Sequence, residues 1–318
     1  MIQVPTQIAG TLAHAGRSVF ILLVVGGCVQ TNLSLAPPWR EARRLPGSVE
    51  LRLGENREPD PVVVLDGSWV SEGDALIWLT AEIYRGFPTE ALARRRHPIR
   101  ISPRNPLFAD HDPPTTLYNG LVFDVVLDTE SRRWSQFAYQ LSHELCHVLL
   151  LSPAIDGIAE WNAELHMPNK WLEETLCVLA SFYVLPRIEE AWLAHPPFRA
   201  AASYARSFGE YIQNESGDTA SIPVGMPFFQ WLKGREEYLR DQAYDRPVNA
   251  AIAKRLLPLF DARPSLWFCT TFLLADDGNS VATRATLVSL LRAWRGRSPA
   301  ECTSDIDAFA NVLGYPLQ

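Results

Sequence analysis

Lysine is scarce in this chain: Lys170, Lys233 and Lys254 stand against 26 arginines, and acidic residues outnumber the basic ones to leave a net charge of −7. An acidic chain gives no reason to expect nucleic acid or an acidic surface as partner. The basic clusters Arg94-Arg95-Arg96-His97 and Arg40, Arg43, Arg44 are short and offset by nearby acids, so they read as solvated faces. Long apolar runs are also missing. The longest begins at Ser18 and ends at Cys28, too short to span a bilayer. No internal repeat, Walker loop or GxGxxG is found, which removes the motif-bearing nucleotide-binding classes. What is present is an ordinary apolar fraction of 47% with 10 Trp, which argues against disorder. With 318 residues the chain can bury a large core as one domain or two.

Against that background one pentapeptide stands out: His143-Glu144-Leu145-Cys146-His147. Residues four apart on a helix lie about one turn, roughly 6 Å, above one another on the same face. Two imidazoles at that spacing can share one tetrahedral Zn²⁺. Glu144 lies about 100° around the helix from His143, within reach of a water on the metal without being a ligand. The segment from Trp134 to Leu151 carries Phe137, Leu141, Leu145, Val148 and Leu149 at helical spacing, with no Gly or Pro before Pro153. A buried helix is what a metal site needs, because packing locks the ligand rotamers. The bland alternative is a core helix whose two histidines are merely hydrogen-bonded.

A third ligand must come from elsewhere, leaving a position open to water. A metzincin would need Gly at 150 and His at 153, where this chain has Leu150 and Pro153, so that class is excluded. Downstream donors are Asp156, Glu160, Glu164, His166, Glu173 and Glu174. A second apolar helix is expected from Asn169 to Leu185. Acids in its first turn also suit the helix dipole, which is the plain explanation for Glu173 and Glu174.

In these residues the chain resembles the gluzincin metallopeptidases, where HExxH on one helix is completed by a Glu on a later one. In the branch often called MA-like peptidases that helix opens with Trp-Leu-x-Glu-Gly. Here it reads Trp171-Leu172-Glu173-Glu174-Thr175, with Thr in place of Gly. The resemblance covers roughly residues 120 to 186 and implies Glu174, rather than Glu173, as third ligand. It also implies that Leu121–Leu127 is a strand edging the cleft and pairing with an extended substrate. Leu141-Ser-His-Glu-Leu-Cys-His147 with Glu174, Ala180 and Pro186 also looks like the ImmA/IrrE regulator proteases, a second choice because that family usually has Gly where Cys146 stands here.

The expected fold is therefore α+β and zincin-like: a twisted N-terminal sheet packed on the HExxH helix, then a largely helical C-terminal subdomain. The division expected is 1–38 as leader or tether, 39–197 as catalytic domain and 198–318 as helical subdomain. Strands are expected at Ser48–Leu53, Val62–Leu65, Ile99–Ser102 and Leu121–Leu127. Ser71-Glu-Gly-Asp74 reads as a capping box opening a helix to about Arg85, a short helix follows Pro88, and Pro103–Thr116 reads as a loop. Val25-Gly26-Gly27-Cys28 resembles a bacterial lipoprotein cleavage box, against a buried first strand in a cytosolic protein. A lipid on Cys28 is the one membrane link expected.

Cys146 and Cys177 sit one turn from His143 and Glu174 on helices that must converge, so a disulfide is weighed against two small buried thiols, the favoured reading. Tyr183, His195, Tyr204 and Tyr211 are candidate oxyanion donors, and Asp124 and Asp128 candidate partners of the ligand imidazoles. The reading is a zinc hydrolase acting on a peptide or protein, with His143, His147 and Glu174 on the metal and Glu144 as general base. The alternatives are a binding protein with a structural or vestigial zinc site, and an ImmA-like protease with one protein target.

Overall fold

Alternation of apolar and polar residues builds the sheet. In β2 (Ser48–Arg52), β3 (Val62–Asp66), β4 (Ile99–Pro103) and β6 (Phe123–Leu127), the pairs Val49 and Leu51, Val63 and Leu65, Ile99 and Ile101, and the triplet Phe123, Val125 and Leu127 are buried. Residues two apart share a face, so each strand buries one side against helices. With β1 (Glu41–Leu45), β5 (Thr115–Tyr118) and β7 (Trp161–Asn162) the sheet has the order β1-β2-β3-β4-β6-β5-β7. The pairs β3–β4 and β4–β6 are parallel and the remainder antiparallel.

The computed structural model describes residues 41–45, 48–52, 62–66, 74–94, 97–104, 114–129, 133–151, 161–162, 169–215, 222–274 and 286–317, which all fall in one unit, Leu35–Gln318. The Cys28 box and Ser71, Glu72 and Gly73 of the capping box lie outside the described residues. So do Asp156, Glu160, Glu164 and His166.

The helix α1 (Asp74–Arg85) and the short α2 (Thr89–Ala93) make the crossover from β3 to parallel β4, as such a pair requires. A tight turn joins β5 to β6. Asn119 Oδ1 accepts from the backbone N–H groups of Leu121 and Val122, and Gly120 takes φ 88°, a conformation that favours glycine. The Leu121–Leu127 strand thus starts at Phe123 and is not an edge. It lies between β4 and β5, and the strand beyond it is β5, which the expected Pro103–Thr116 loop partly covered.

The helix α3 (Trp134–Leu151) has the bounds its periodicity predicts and packs on β5, β6 and α1. Its main partner is α4 (Lys170–Ala194), with Asn169 at its N-cap. Every residue of α4 from Lys170 to Leu185 is buried, which accounts for an apolar pattern on all faces. The helix does not stop at Pro186. Ile188 and Trp192 beyond it are buried, and Trp192 sits edge-on to Trp134, Phe198 and Phe208. This aromatic nest outweighs the loss of one backbone bond at proline.

Then come α5 (Arg199–Tyr204), α6 (Ser207–Glu215), α7 (Phe228–Lys233), α8 (Glu236–Asp241), α9 (Arg246–Ala262), α10 (Leu266–Thr270), α11 (Leu287–Arg297) and α12 (Thr303–Leu313). The chain is α+β, with the helices largely after the sheet. α9 packs along α4, and Thr175 donates to Asn249 Oδ1 at 3.2 Å across that contact. Cys269 and Cys302 form a disulfide, closing the region of α10 onto the start of α12, while Cys146 and Cys177 are buried thiols.

Candidate metal centre

The packing of α3 on α4 sets His143 and His147 opposite Glu174. His143 Nε2 lies 3.4 Å from Glu174 Oε2, and His147 Nε2 lies 3.6 Å from Oε1 of the same carboxylate. Charge-assisted N–H···O bonds are shorter, about 2.7–2.9 Å. Two donors each about 2.0–2.1 Å from a tetrahedral ion stand roughly 3.3 Å apart. The observed separations are longer than such bonds and near the donor spacing around one ion, with a different oxygen of Glu174 meeting each imidazole.

The other nitrogen of His147 meets the second glutamate. His147 Nδ1 is 2.7 Å from Glu173 Oε1. With Nδ1 as the donor, Nε2 is left as a lone pair directed at Glu174's side of the site. Glu173 thus holds and orients the ring of His147, and Glu174 is the carboxylate that faces Nε2. This places the carboxylate partner of the ligand imidazole on α4. Asp124 and Asp128 are elsewhere: Asp124 accepts from Asn119 and faces Arg100, and Asp128 faces Arg104. The signal available in the sequence was Glu173 itself, next to the candidate ligand Glu174 at the start of a largely apolar helix.

Lys170 completes the cluster. Its Nζ donates to Glu173 Oε1 at 2.8 Å and lies 3.4 Å from Glu174 Oε1, although the residue is only 6% exposed. Burial opposes the charge on Glu174, yet the charge of His147 and the polar contact with His143 pull its pKa down to about 2. Glu173 is likewise lowered against its burial, chiefly by Lys170 and His147. For His147, burial disfavours the cation, but the Glu174 charge and the Glu173 contact outweigh it and the pKa is raised. Burial and the neighbouring Cys146 push the Cys177 thiol up.

Glu144 is 3% exposed and is held from the sheet. Thr116 Oγ1, on β5, donates to Glu144 Oε2 at 2.8 Å and lies 3.3 Å from its backbone oxygen. The candidate base thus has one oxygen fixed. The sequence hid Thr116 inside a Pro-rich stretch. A further donor is near: ligand-capable atoms of His143, His147 and Cys177 all lie within 4.8 Å of one another. The carboxylate of Glu174 faces both imidazoles as well, one oxygen to each, at 3.4 and 3.6 Å.

Three of the four candidate oxyanion donors have contacts of their own, and the fourth is exposed. Tyr183 lies under the Arg187 guanidinium, Tyr204 binds the start of α3 at Ser135, Tyr211 packs on Tyr139, and His195 is exposed at the C-cap of α4. Comparison with protein families, with curated proteins and with solved structures finds no match to this chain.

Proposed function

We propose that this chain is a zinc-dependent hydrolase of the gluzincin type that cleaves peptide bonds, with a zincin-like arrangement of sheet and metal helices. The observation that carries the reading is the convergence of His143 Nε2 and His147 Nε2 on Glu174 at 3.4 and 3.6 Å, with His147 turned by Glu173. His143, His147 and Glu174 would hold the ion. Zinc, when bound, acidifies water toward neutrality and polarises a carbonyl.

The chain's own groups do the rest. Glu144 takes a proton from the attacking water and later passes it to the leaving amine. Thr116 occupies Oε2 of Glu144 and so leaves Oε1 for that exchange. Lys170 keeps the two carboxylates of α4 from repelling one another.

Zinc content by mass spectrometry, with hydrolysis of a broad peptide library, tests this reading. About one zinc per chain is expected, with turnover in the wild type and none in a zinc-loaded Glu144→Gln variant. Zinc without turnover in any protein would favour the alternative, a binding protein with a structural ion. The nearness of Cys177 to the two imidazoles gives that alternative its support, because closed four-donor sites are the structural kind. A folded wild type that takes up no zinc would sink both.

A further inference from the structure

We propose that Cys177 is a fourth protein donor to the metal, so that the resting site is closed by His143, His147, Glu174 and a sulfur. This rests on the zinc reading above. Its starting point is geometric: the Cys177 sulfur lies within 4.8 Å of a ring nitrogen of each histidine, and those three residues alone form such a group among the described residues. Zn–N of about 2.0 Å and Zn–S of about 2.3 Å put nitrogen and sulfur roughly 3.6 Å apart around a tetrahedral ion. The sulfur and the imidazoles therefore need approach one another by little more than about 1 Å, within the reach of side-chain rotation.

The helix supplies the rest of the argument. Cys177 follows Glu174 by three residues on α4, so the two side chains stand on neighbouring turns of one face. Cys177 is fully buried and is a free thiol, unlike the paired Cys269 and Cys302. Its sulfur is thus shielded from solution oxidants, and its one side-chain neighbour of the same kind is Cys146, a contact that an ion between the helices would replace. On binding, the S–H bond breaks, the Zn–S bond forms and the proton passes to solvent.

Two consequences follow for the site. A soft donor selects zinc or cobalt over magnesium, calcium or manganese. A fourth protein donor also leaves no tetrahedral position for water. Hydrolysis then requires expansion to five donors or release of the sulfur, which makes Cys177 a brake on the reaction.

Cobalt reports sulfur ligation directly. The full chain is loaded with Co²⁺, and absorption is recorded for the wild type, Cys177→Ser and Cys146→Ser. Expected are the visible bands of tetrahedral cobalt in all three, with a near-ultraviolet sulfur-to-cobalt charge-transfer band in the wild type and Cys146→Ser but not in Cys177→Ser. Zinc affinity of Cys177→Ser should fall at least roughly ten-fold, no less than the loss of an outer partner costs. Tetrahedral cobalt without the sulfur band in the wild type overturns the proposal and leaves the His143, His147 and Glu174 site standing. A band that persists in Cys177→Ser, or disappears in Cys146→Ser alone, also overturns it. Failure of a folded wild type to bind either metal removes the zinc reading itself.

Discussion

His147 and Glu173 are joined through Nδ1 and Oε1 at 2.7 Å, a contact buried between α3 and α4. The bond fixes a ring that a metal would meet at its other nitrogen, so removing it should loosen the site without deleting a ligand. Glu173→Gln is expected to fold and to bind zinc about 10–100-fold more weakly. Glu174→Ala should lose tight binding altogether. Competition against a chelating dye measures both, and the reverse order of severity would exchange the roles assigned to the two glutamates.

Lys170 is the cation that faces both carboxylates when no metal is bound. Lys170→Met leaves those charges buried without it, a change that typically costs about 3–5 kcal/mol. Urea unfolding in chelator should show that loss. Added zinc should recover part of it, because a ligand held only by the folded state stabilises by mass action. Equal stability of the variant and the wild type in chelator would show that the lysine contributes no net stabilisation.

The pH dependence of the chelator-treated protein has two limbs. Glu174 has a pKa of about 2 against an ordinary 4.5, so its contribution is complete above 4.5 and is lost as pH falls toward 2. His147 has a pKa raised above 6.5, so its contribution is complete below 6.5 and is lost as pH rises through the raised value. Stability from this pair should therefore peak between 4.5 and 6.5. Zinc should bind more weakly as pH falls, since the proton competes for His147. Thermal melts across pH, with and without zinc, read both effects. Loss of the high-pH limb in His147→Gln, and a shallower low-pH limb in Glu174→Gln with Glu173 and Lys170 left in place, would assign the limbs to these groups.

Thr116 reaches Glu144 from the sheet at 2.8 Å. A hydrogen bond to a charged group is worth about 1.5–3 kcal/mol, and about 1.4 kcal/mol on a barrier is ten-fold in rate. Thr116→Val should lower kcat about ten-fold or more with zinc content and KM little changed, and Thr116→Ser should restore it. A fall in zinc content instead would make Thr116 a packing residue.

The disulfide between Cys269 and Cys302 closes a loop of sequence separation 33 far along the chain from α3. Loop entropy assigns such a link about 3–4 kcal/mol. Cys302→Ser should lose stability of that order in urea while binding zinc as the wild type does. A simultaneous loss of zinc would couple the helical half to the site.

The two helices that build the centre were legible because their signals are local. Apolar spacing gave α3 its bounds from Trp134 to Leu151, and Asn169 marked the start of α4. Signals that depend on partners were not legible. β1 is Glu-Ala-Arg-Arg-Leu, too charged to read as a strand, and it exists by pairing with β2. β5 follows two prolines and its Thr115-Thr116 start was absorbed into the loop they suggest. Pro186 reads as a stop, and only the packing of Trp192 keeps α4 going. Glu173 and Thr116 act through bonds to residues 26 and 28 positions away, and spacing along the chain says nothing of those. The pairing of Cys269 with Cys302 is of the same kind, since connectivity does not follow from cysteine positions.

The burial of α4 on every side from Lys170 to Leu185 ties α3 on one side of it to α9 on another. A cut near residue 197 would retain every proposed ligand, yet it would strip α9 from one side of α4 and expose an apolar stripe to water. The helices that carry the candidate ligands cannot be lifted out as a minimal module, because α9 packs along α4. Loss of function in a truncated chain would therefore report lost packing, and a point substitution on α9 facing α4 is the sharper tool for asking what the C-terminal half does.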